Sequence, residues 1–290
     1  VSRLRSLFES LPFPVLADGA WGTEFQKRGL PLGQAPDSWN LDRPAEVEAV
    51  ARSYVEAGSQ VILTNTFRAN PPALGAMGLA NRTTEINREG ARISRKAAGS
   101  SVRVFGSIGP LGKSLAKGEI EPDEAAKAIG LQVRSLAEGG VDALLFETCL
   151  SLDEARIAVE TARPTGLPVI VSFFFMGDEQ GDRTIGGETP EAVARTLADL
   201  GVDGVGANCG DVTTFARLGR RLNDASGLPV WLKPNAGIPK VVDGRAVYTM
   251  TPEVFANETP ALVQAGASFI GGCCGAGPRF IRAVARTLAQ

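Results

Sequence analysis

The chain reads as an α/β protein built as a (β/α)₈ TIM barrel, one domain over residues 1–290. Three observations predict this. Eight short runs are apolar almost without a break, as strands covered on both faces should be. Amphipathic helical spacing recurs between them. Helix start and stop signals punctuate each unit, so strand and helix alternate strictly, the pattern of a parallel sheet closed on itself.

The eight runs are 15–20 (VLADGA), 61–67 (VILTNTF), 103–109 (RVFGSIG), 143–148 (ALLFET), 168–175 (PVIVSFFF), 204–210 (GVGANCG), 230–236 (VWLKPNA) and 269–275 (FIGGCCG). In 44–57 the residues Val47, Val50, Ala51, Tyr54 and Val55 fall on one helical face. In 122–138 Ala126, Ile129, Val133, Leu136 and Ala137 do the same. Thr189-Pro190 and Thr251-Pro252 place Thr at the N-cap and Pro at the first helical position. Ser151 with Glu154 forms a capping-box pattern. Gly58, Gly139, Gly201 and Gly266 mark helix ends. The competing architecture, an open doubly wound sheet, wants a G-x-G-x-x-G turn after the first strand. ADGAWGTEF (17–25) lacks that spacing. The longest connections, 21–43 and 67–82 among them, follow strands and therefore sit on the C-terminal face of the barrel, where sites form.

Hydrophobic residues make up 44% of the chain and charged residues 21%, with a formal charge of -2. No basic block interleaves with aromatics, so no nucleic-acid partner is expected. No apolar run approaches the roughly 20 residues of a membrane-spanning helix. Residues 1–8 lack the apolar core of a signal peptide, and a cytoplasmic location is expected. There are four cysteines and no histidine. Ser-His-Asp and Cys-His catalysis are thereby excluded, and any metal must rest on sulfur and oxygen.

Polar residues gather at the C-terminal ends of the runs: Asp18, Asn65, Glu147, Asn208, Cys209, Asn235, Cys273 and Cys274. Barrel closure brings them to one rim. The sixth and eighth runs, separated only by the seventh, carry three thiols. Three thiolates leave one tetrahedral position of a zinc ion open, the catalytic pattern. Gly271, Gly272 and Gly275 give the backbone freedom to aim both adjacent cysteines at one ion. Three buried structural thiols are the competing reading, and Cys149 is read as such a thiol. Asp18 and Glu147 fit either a rim ion pair or a clamp for an ammonium group; Lys233 can pair with one of them. From the fold alone, Lys233 as a Schiff-base nucleophile of a lyase or aldolase is a further alternative. Phe173, Phe174 and Phe175 read as core. Trp21 and Trp39 lie on the first long loop, either over the site or packed in it.

Taken together, ADGAWGTEF (17–25), VILTNTF (61–67), GSIGP (106–110), LLFET (144–148), GANCG (206–210), KPNAGIPK (233–240) and GGCCG (271–275) resemble the homocysteine S-methyltransferase family. That family includes the homocysteine-binding module of cobalamin-dependent methionine synthase and betaine-homocysteine methyltransferase. The resemblance implies a zinc-dependent enzyme that methylates the thiol of homocysteine to give methionine. It implies Cys209, Cys273 and Cys274 as ligands of Zn2+, and Asp18 and Glu147 as holders of the substrate's amino group. Asn235 matches an asparagine near the metal. Backbone amides around Gly19 and Ala20 would take the substrate carboxylate, and Asn208 belongs to the same substrate-binding set. Asn65-Thr66-Phe67 is closer to the methionine-synthase type than the Ser-Tyr-Gln of S-methylmethionine users. The implied donor is a methyl-corrinoid, carried on a separate cobalamin-binding protein or another part of the chain. Betaine and S-methylmethionine are the alternative donors. A non-catalytic module that holds homocysteine and zinc is the alternative role. Ala276-Gly277-Pro278-Arg279 departs from the family's Thr-Thr-Pro-Glu, which leaves the last loop open.

Overall fold

The computed structural model describes residues 3–9, 11–31, 33–177, 182–242 and 245–290. Its strands are β1 (Val15–Leu16), β2 (Val61–Leu63), β3 (Arg103–Ile108), β4 (Ala143–Cys149), β5 (Val169–Phe173), β6 (Gly204–Asp211), β7 (Val230–Asn235), β8 (Lys240–Val242), β9 (Arg245–Val247) and β10 (Ala267–Ile270). Eight of them form one parallel sheet in the order β1-β10-β7-β6-β5-β4-β3-β2. The pair β8-β9 is a separate antiparallel hairpin in the connection after β7. The barrel closes between β1 and β2 without a regular ladder. There the Gln60 amide donates to the Leu16 carbonyl at 2.7 Å, and the Asp18 carboxylate accepts from the Leu63 amide at 2.7 Å.

The two-residue period of the strands sorts side chains into two clusters. Val15, Ala17, Val61, Leu63, Phe105, Ala143, Leu145, Ile170, Trp231 and Phe269 fill the barrel interior. Their neighbours Leu16, Ile62, Val104, Leu144, Val171, Leu232 and Ile270 face the helices. The interior cluster also takes Leu4 and Phe8 from the N-terminal segment, which plug one end. Two residues further along the same inward face, the apolar layers give way to Ser107, Glu147, Ser172 and Lys233, all buried. This polar layer is the floor of the opposite, C-terminal end.

The runs overshoot the regular strands at β1, β2 and β10. Residues 18–20, 64–67 and 271–275 leave the ladder; in the first two segments the Asp18 and Thr66 side chains bond backbone that a neighbouring strand would otherwise pair. The helix Pro44–Glu56 buries Val47, Val50, Ala51 and Tyr54, with Val55 at the border. In Pro122–Glu138 the buried face is rotated from the expected one: Ala125, Ala128, Gln132 and Ser135 join Ile129, Val133 and Leu136, while Ala126 and Ala137 lie at its edge. Thr189 and Thr251 cap their helices through side-chain oxygens. Ser151 accepts from the Glu154 amide, but Glu154 does not return the bond. Its carboxylate accepts from the Leu111 amide instead, so only half of the capping box forms. At the second of the four helix stops the left-handed residue is Gly140 rather than Gly139. Among the described residues no helix is long and apolar enough to cross a membrane.

Candidate metal and substrate site

The three thiols converge. Cys209 Sγ lies 3.3 Å from Cys273 Sγ, Cys273 Sγ lies 4.0 Å from Cys274 Sγ, and all three sulfurs fall within 4.8 Å of one another. Four ligands on a tetrahedral zinc at about 2.3 Å stand about 3.8 Å apart, and the observed separations bracket that value. Cys209 and Cys273 are half-buried and Cys274 is exposed, so one side of the cluster faces outward.

Backbone irregularity aims these side chains. Cys209 (φ 63°) and Gly210 (φ 74°) both adopt the left-handed region, and the β6-β7 register shifts between Asn208 and Asp211. A bulge of this kind re-aims a side chain at the mouth of a barrel. On the other side, the Cys273 amide donates to the Pro234 carbonyl at 2.7 Å and the Ala236 amide to the Cys274 carbonyl at 3.0 Å. These two bonds tie the paired cysteines to the end of β7. Gly275 alone of the three flanking glycines has a left-handed φ. Gly271 and Gly272 serve close approach instead: an added Cβ would meet the Asp18 carbonyl at 2.6 Å and Ala276 Cβ at 2.4 Å. The Tyr248 ring lies against Gly275 and enters the site from the connection after β7.

Three thiolates this close repel one another. The Cys274 thiol is lowered to about 3 because it accepts from Cys209 and Cys273. Cys209, donating to its neighbours and buried, is pushed far up, and Cys273 is raised to about 12. The cluster thus supports one thiolate on its own, and a cation is what would let all three ionise. Asn235 adds an independent sign: its Oδ1 is buried without a hydrogen-bond partner, at the end of the strand that holds the paired cysteines. The donor set of three sulfurs suits a zinc-type metal, and the unpartnered oxygen belongs to the residue between Pro234 and Ala236, the backbone partners of the paired cysteines.

Asn208 is hydrogen-bonded within the protein through both ends of its amide. Its Oδ1 accepts from the Thr148 amide at 2.8 Å and the Ser172 hydroxyl at 2.6 Å. Its Nδ2 donates to Thr148 Oγ1 at 2.7 Å and lies 3.5 Å from Cys209 Sγ. Thr148 is itself left-handed (φ 61°), beside a register shift in β4. One amide therefore locks the β4 and β6 irregularities together.

Glu147 and Asp18 differ in environment. Glu147 accepts a short hydrogen bond from the Ser107 hydroxyl, and its other oxygen has no partner among the described residues. Burial raises its pKa to about 7 against the opposing pull of Lys233. Asp18 accepts from Lys233 Nζ at 2.6 Å, Trp21 Nε1 at 2.6 Å and the Leu63 amide at 2.7 Å. The ion pair with Lys233 forms, and with a single bond on Oδ1 the carboxylate keeps acceptor capacity for a further donor. Although burial pulls the Lys233 pKa down, Asp18 and Glu147 raise it on balance. A lysine paired with a carboxylate and held as ammonium is poorly suited to act as a Schiff-base nucleophile.

The Ala20 amide donates to the Ala276 carbonyl at 2.9 Å, so it is not free for a carboxylate. That contact comes from the loop that departs from the family pattern. Gly19 is required by space, since a Cβ there would sit 2.0 Å from the Ala276 carbonyl oxygen and 2.9 Å from Tyr54. The Tyr54 hydroxyl, beside it, is buried without a partner. Cys149 stands outside the thiol cluster, buried in the outer layer with its thiol raised by burial. Trp39 packs in the core against Phe25, and Phe173 and Phe175 are core as expected. Asn65 is buried and donates to Pro36 and Asn40, holding the first loop. Ser107, Ser172 and Thr148 escaped the sequence reading. The two-residue period marks the two serines, each two positions after an interior core residue; nothing in the sequence marks Thr148.

A family profile described as homocysteine S-methyltransferase matches residues 15–288. The chain is 32% identical over 295 residues to a methionine synthase of Mycobacterium tuberculosis, a match covering 95% of the chain and 25% of the relative. It is 32% identical over 304 residues to the methionine synthase of Mycobacterium leprae, covering 98% of the chain and again 25% of the relative. The chain thus spans about a quarter of the length of these relatives. The metallated form of the homocysteine methyltransferase MmuM from Escherichia coli superposes with a TM-score of 0.81 at 26% identity, covering 98% of the chain and 99% of that structure.

Proposed function

The chain belongs to the homocysteine S-methyltransferase family, and from that premise we propose that it transfers a methyl group to the thiol of homocysteine on a zinc ion held by Cys209, Cys273 and Cys274. The observation that carries the reading is the convergence of three sulfurs from β6 and the segment after β10, open on one side, with an orphaned Oδ1 on Asn235, the residue between the backbone partners of the paired cysteines. A zinc ion bound there supplies a lowered pKa to a substrate thiol, so that the sulfur is presented as the nucleophilic thiolate at neutral pH.

The residues around it bind and orient. Glu147, with one free oxygen on the polar floor, would hold the substrate ammonium. The Gly19 amide would meet the carboxylate. Asn235 would offer the metal an oxygen donor. Asp18, Asn208 and Thr148 are positioning residues: Asp18 closes the barrel seam, and the other two fix Cys209. The sulfur would attack the methyl carbon in line, the bond from methyl to donor breaking with its electron pair, to give a neutral thioether.

The donor we propose is a methyl-corrinoid on a separate protein or domain, supported by Asn65-Thr66-Phe67 and by the similarity to methionine synthases. Betaine and S-methylmethionine are the alternatives. The quarter-length match to the mycobacterial relatives favours a second reading, a homocysteine- and zinc-holding module of a larger corrinoid assembly. The near-complete match to the Escherichia coli enzyme favours a barrel that acts alone.

The test is methionine formation from homocysteine by zinc-replete protein with methylcobalamin, S-methylmethionine or betaine. Turnover with methylcobalamin is expected. Homocysteine binding without methionine from any donor would favour the module, and absence of both would overturn the proposal.

A further inference from the structure

Lys233 has no part in the reading above, yet it occupies the centre of the pocket floor. Its side chain is 3% exposed, and its Nζ is 2.6 Å from Asp18 Oδ1. It lies in the inward layer with Glu147 and Ser107, directly above Trp231, whose ring centroid is 5.7 Å from Nζ.

An ammonium group has three N–H donors and no acceptor. Among the described residues Lys233 finds one oxygen acceptor, Asp18. A buried ion pair of this kind contributes little to stability compared with apolar side chains of the same volume. A buried ammonium with unfilled donors is costly unless something else arrives to fill them. The neighbouring carboxylate is unfilled in the complementary sense, since the second oxygen of Glu147 has no donor. The floor therefore offers unfilled ammonium N–H donors and an unfilled carboxyl oxygen in the same buried layer. That pattern matches a zwitterion.

We propose that Lys233 is a specificity-determining residue that binds the α-carboxylate of the thiol substrate, pairing with it while Glu147 takes the α-ammonium. Asp18 holds Lys233 in place and keeps it charged. The site then selects an α-amino-acid thiol over thiols that lack either charged group. This rests on the thiol-methyltransferase reading and sharpens it.

Calorimetric titration of zinc-loaded, reduced protein with three thiols tests it: homocysteine, 3-aminopropane-1-thiol, which lacks the carboxylate, and 4-mercaptobutyrate, which lacks the amine. The wild-type protein is expected to bind homocysteine at least about 10-fold more tightly than 3-aminopropane-1-thiol, the scale of one charge-assisted hydrogen bond. Lys233→Met should weaken homocysteine by that factor, leave 3-aminopropane-1-thiol little changed, and so abolish the preference. Lys233→Arg should restore part of it. Because Lys233→Met leaves Asp18 buried without its cation, the Asp18→Asn/Lys233→Met pair is the folded control, and it should show the same loss of preference. An equal fall for both thiols in every folded variant would overturn the proposal, since Lys233 would then only support the floor. A wild-type protein that binds 3-aminopropane-1-thiol as tightly as homocysteine would overturn it too. Failure of the wild-type protein to bind any thiol would instead strike the methyl-acceptor reading on which it rests, and the proposal with it.

Discussion

Replacing Glu147 by Gln should make the metal-free protein more stable at neutral and alkaline pH, and the size of the gain can be worked from its surroundings. Glu147 is 8% exposed, and burial raises its pKa from 4.5 to about 7 even though Lys233 and the Ser107 hydroxyl pull the other way. Below pH 4.5 the carboxyl is protonated in both the native and the unfolded chain, and it contributes no pH dependence. Between 4.5 and about 7 the unfolded chain has lost the proton while the native chain keeps it, so native stability falls as pH rises. Above about 7 both states are ionised and the native state has lost about 3 kcal/mol, at about 1.4 kcal/mol per pKa unit. Glutamine keeps the shape and still accepts from Ser107, but does not ionise. The stability difference between variant and wild type should therefore grow by about 3 kcal/mol from pH 4.5 to 8 and then level off. Urea denaturation of both proteins at several pH values, reduced and metal-free, measures it. A difference that stays flat, or that turns in favour of the wild type with rising pH, would refute the reasoning: Lys233 would then be holding Glu147 as a carboxylate against its burial.

Three further outcomes follow from the same geometry. Asn208→Ala leaves the Thr148 amide and the Ser172 hydroxyl without their acceptor; chemical denaturation should show a loss of about 2–4 kcal/mol, and zinc competition with a chelator a roughly 10-fold or greater loss of affinity, because the support of Cys209 goes with it. Gly19→Ala drives a methyl group into the Ala276 carbonyl, which should cost at least about 2 kcal/mol and weaken thiol binding. Cys149→Ala should cost about 1 kcal/mol of stability as a small core deletion and leave the zinc content at its wild-type value; a fall in zinc would place Cys149 among the ligands.

The barrel was legible because its strands are covered on both faces, and eight apolar runs remain visible whatever their partners. Their ends were not, since Asp18 and Thr66 leave the ladder through side-chain bonds that exist only once the barrel closes. Cysteine is rare in this chain, and histidine absent, so Cys209, Cys273 and Cys274 stood out as a set before any geometry was known. The residues that hold them are ordinary polar types. Asn208 bonds Thr148 across 60 positions and Lys233 bonds Asp18 across 215. Such pairings follow from strand register, which the apolar pattern fixes only to within the two-residue period. The same limit applies to Asp18 and Asn208: their location at the rim was visible, their partners within the protein were not.

The ligand set is open to direct measurement by X-ray absorption at the zinc edge. Zinc-loaded protein should show three sulfur scatterers at about 2.3 Å and one oxygen or nitrogen at about 2.0–2.1 Å, changing to four sulfurs when homocysteine is added. Cys209→Ala should retain no zinc after dialysis against a weak chelator. A spectrum with fewer than three sulfurs in the wild-type protein, or one that homocysteine leaves unchanged, would contradict the account.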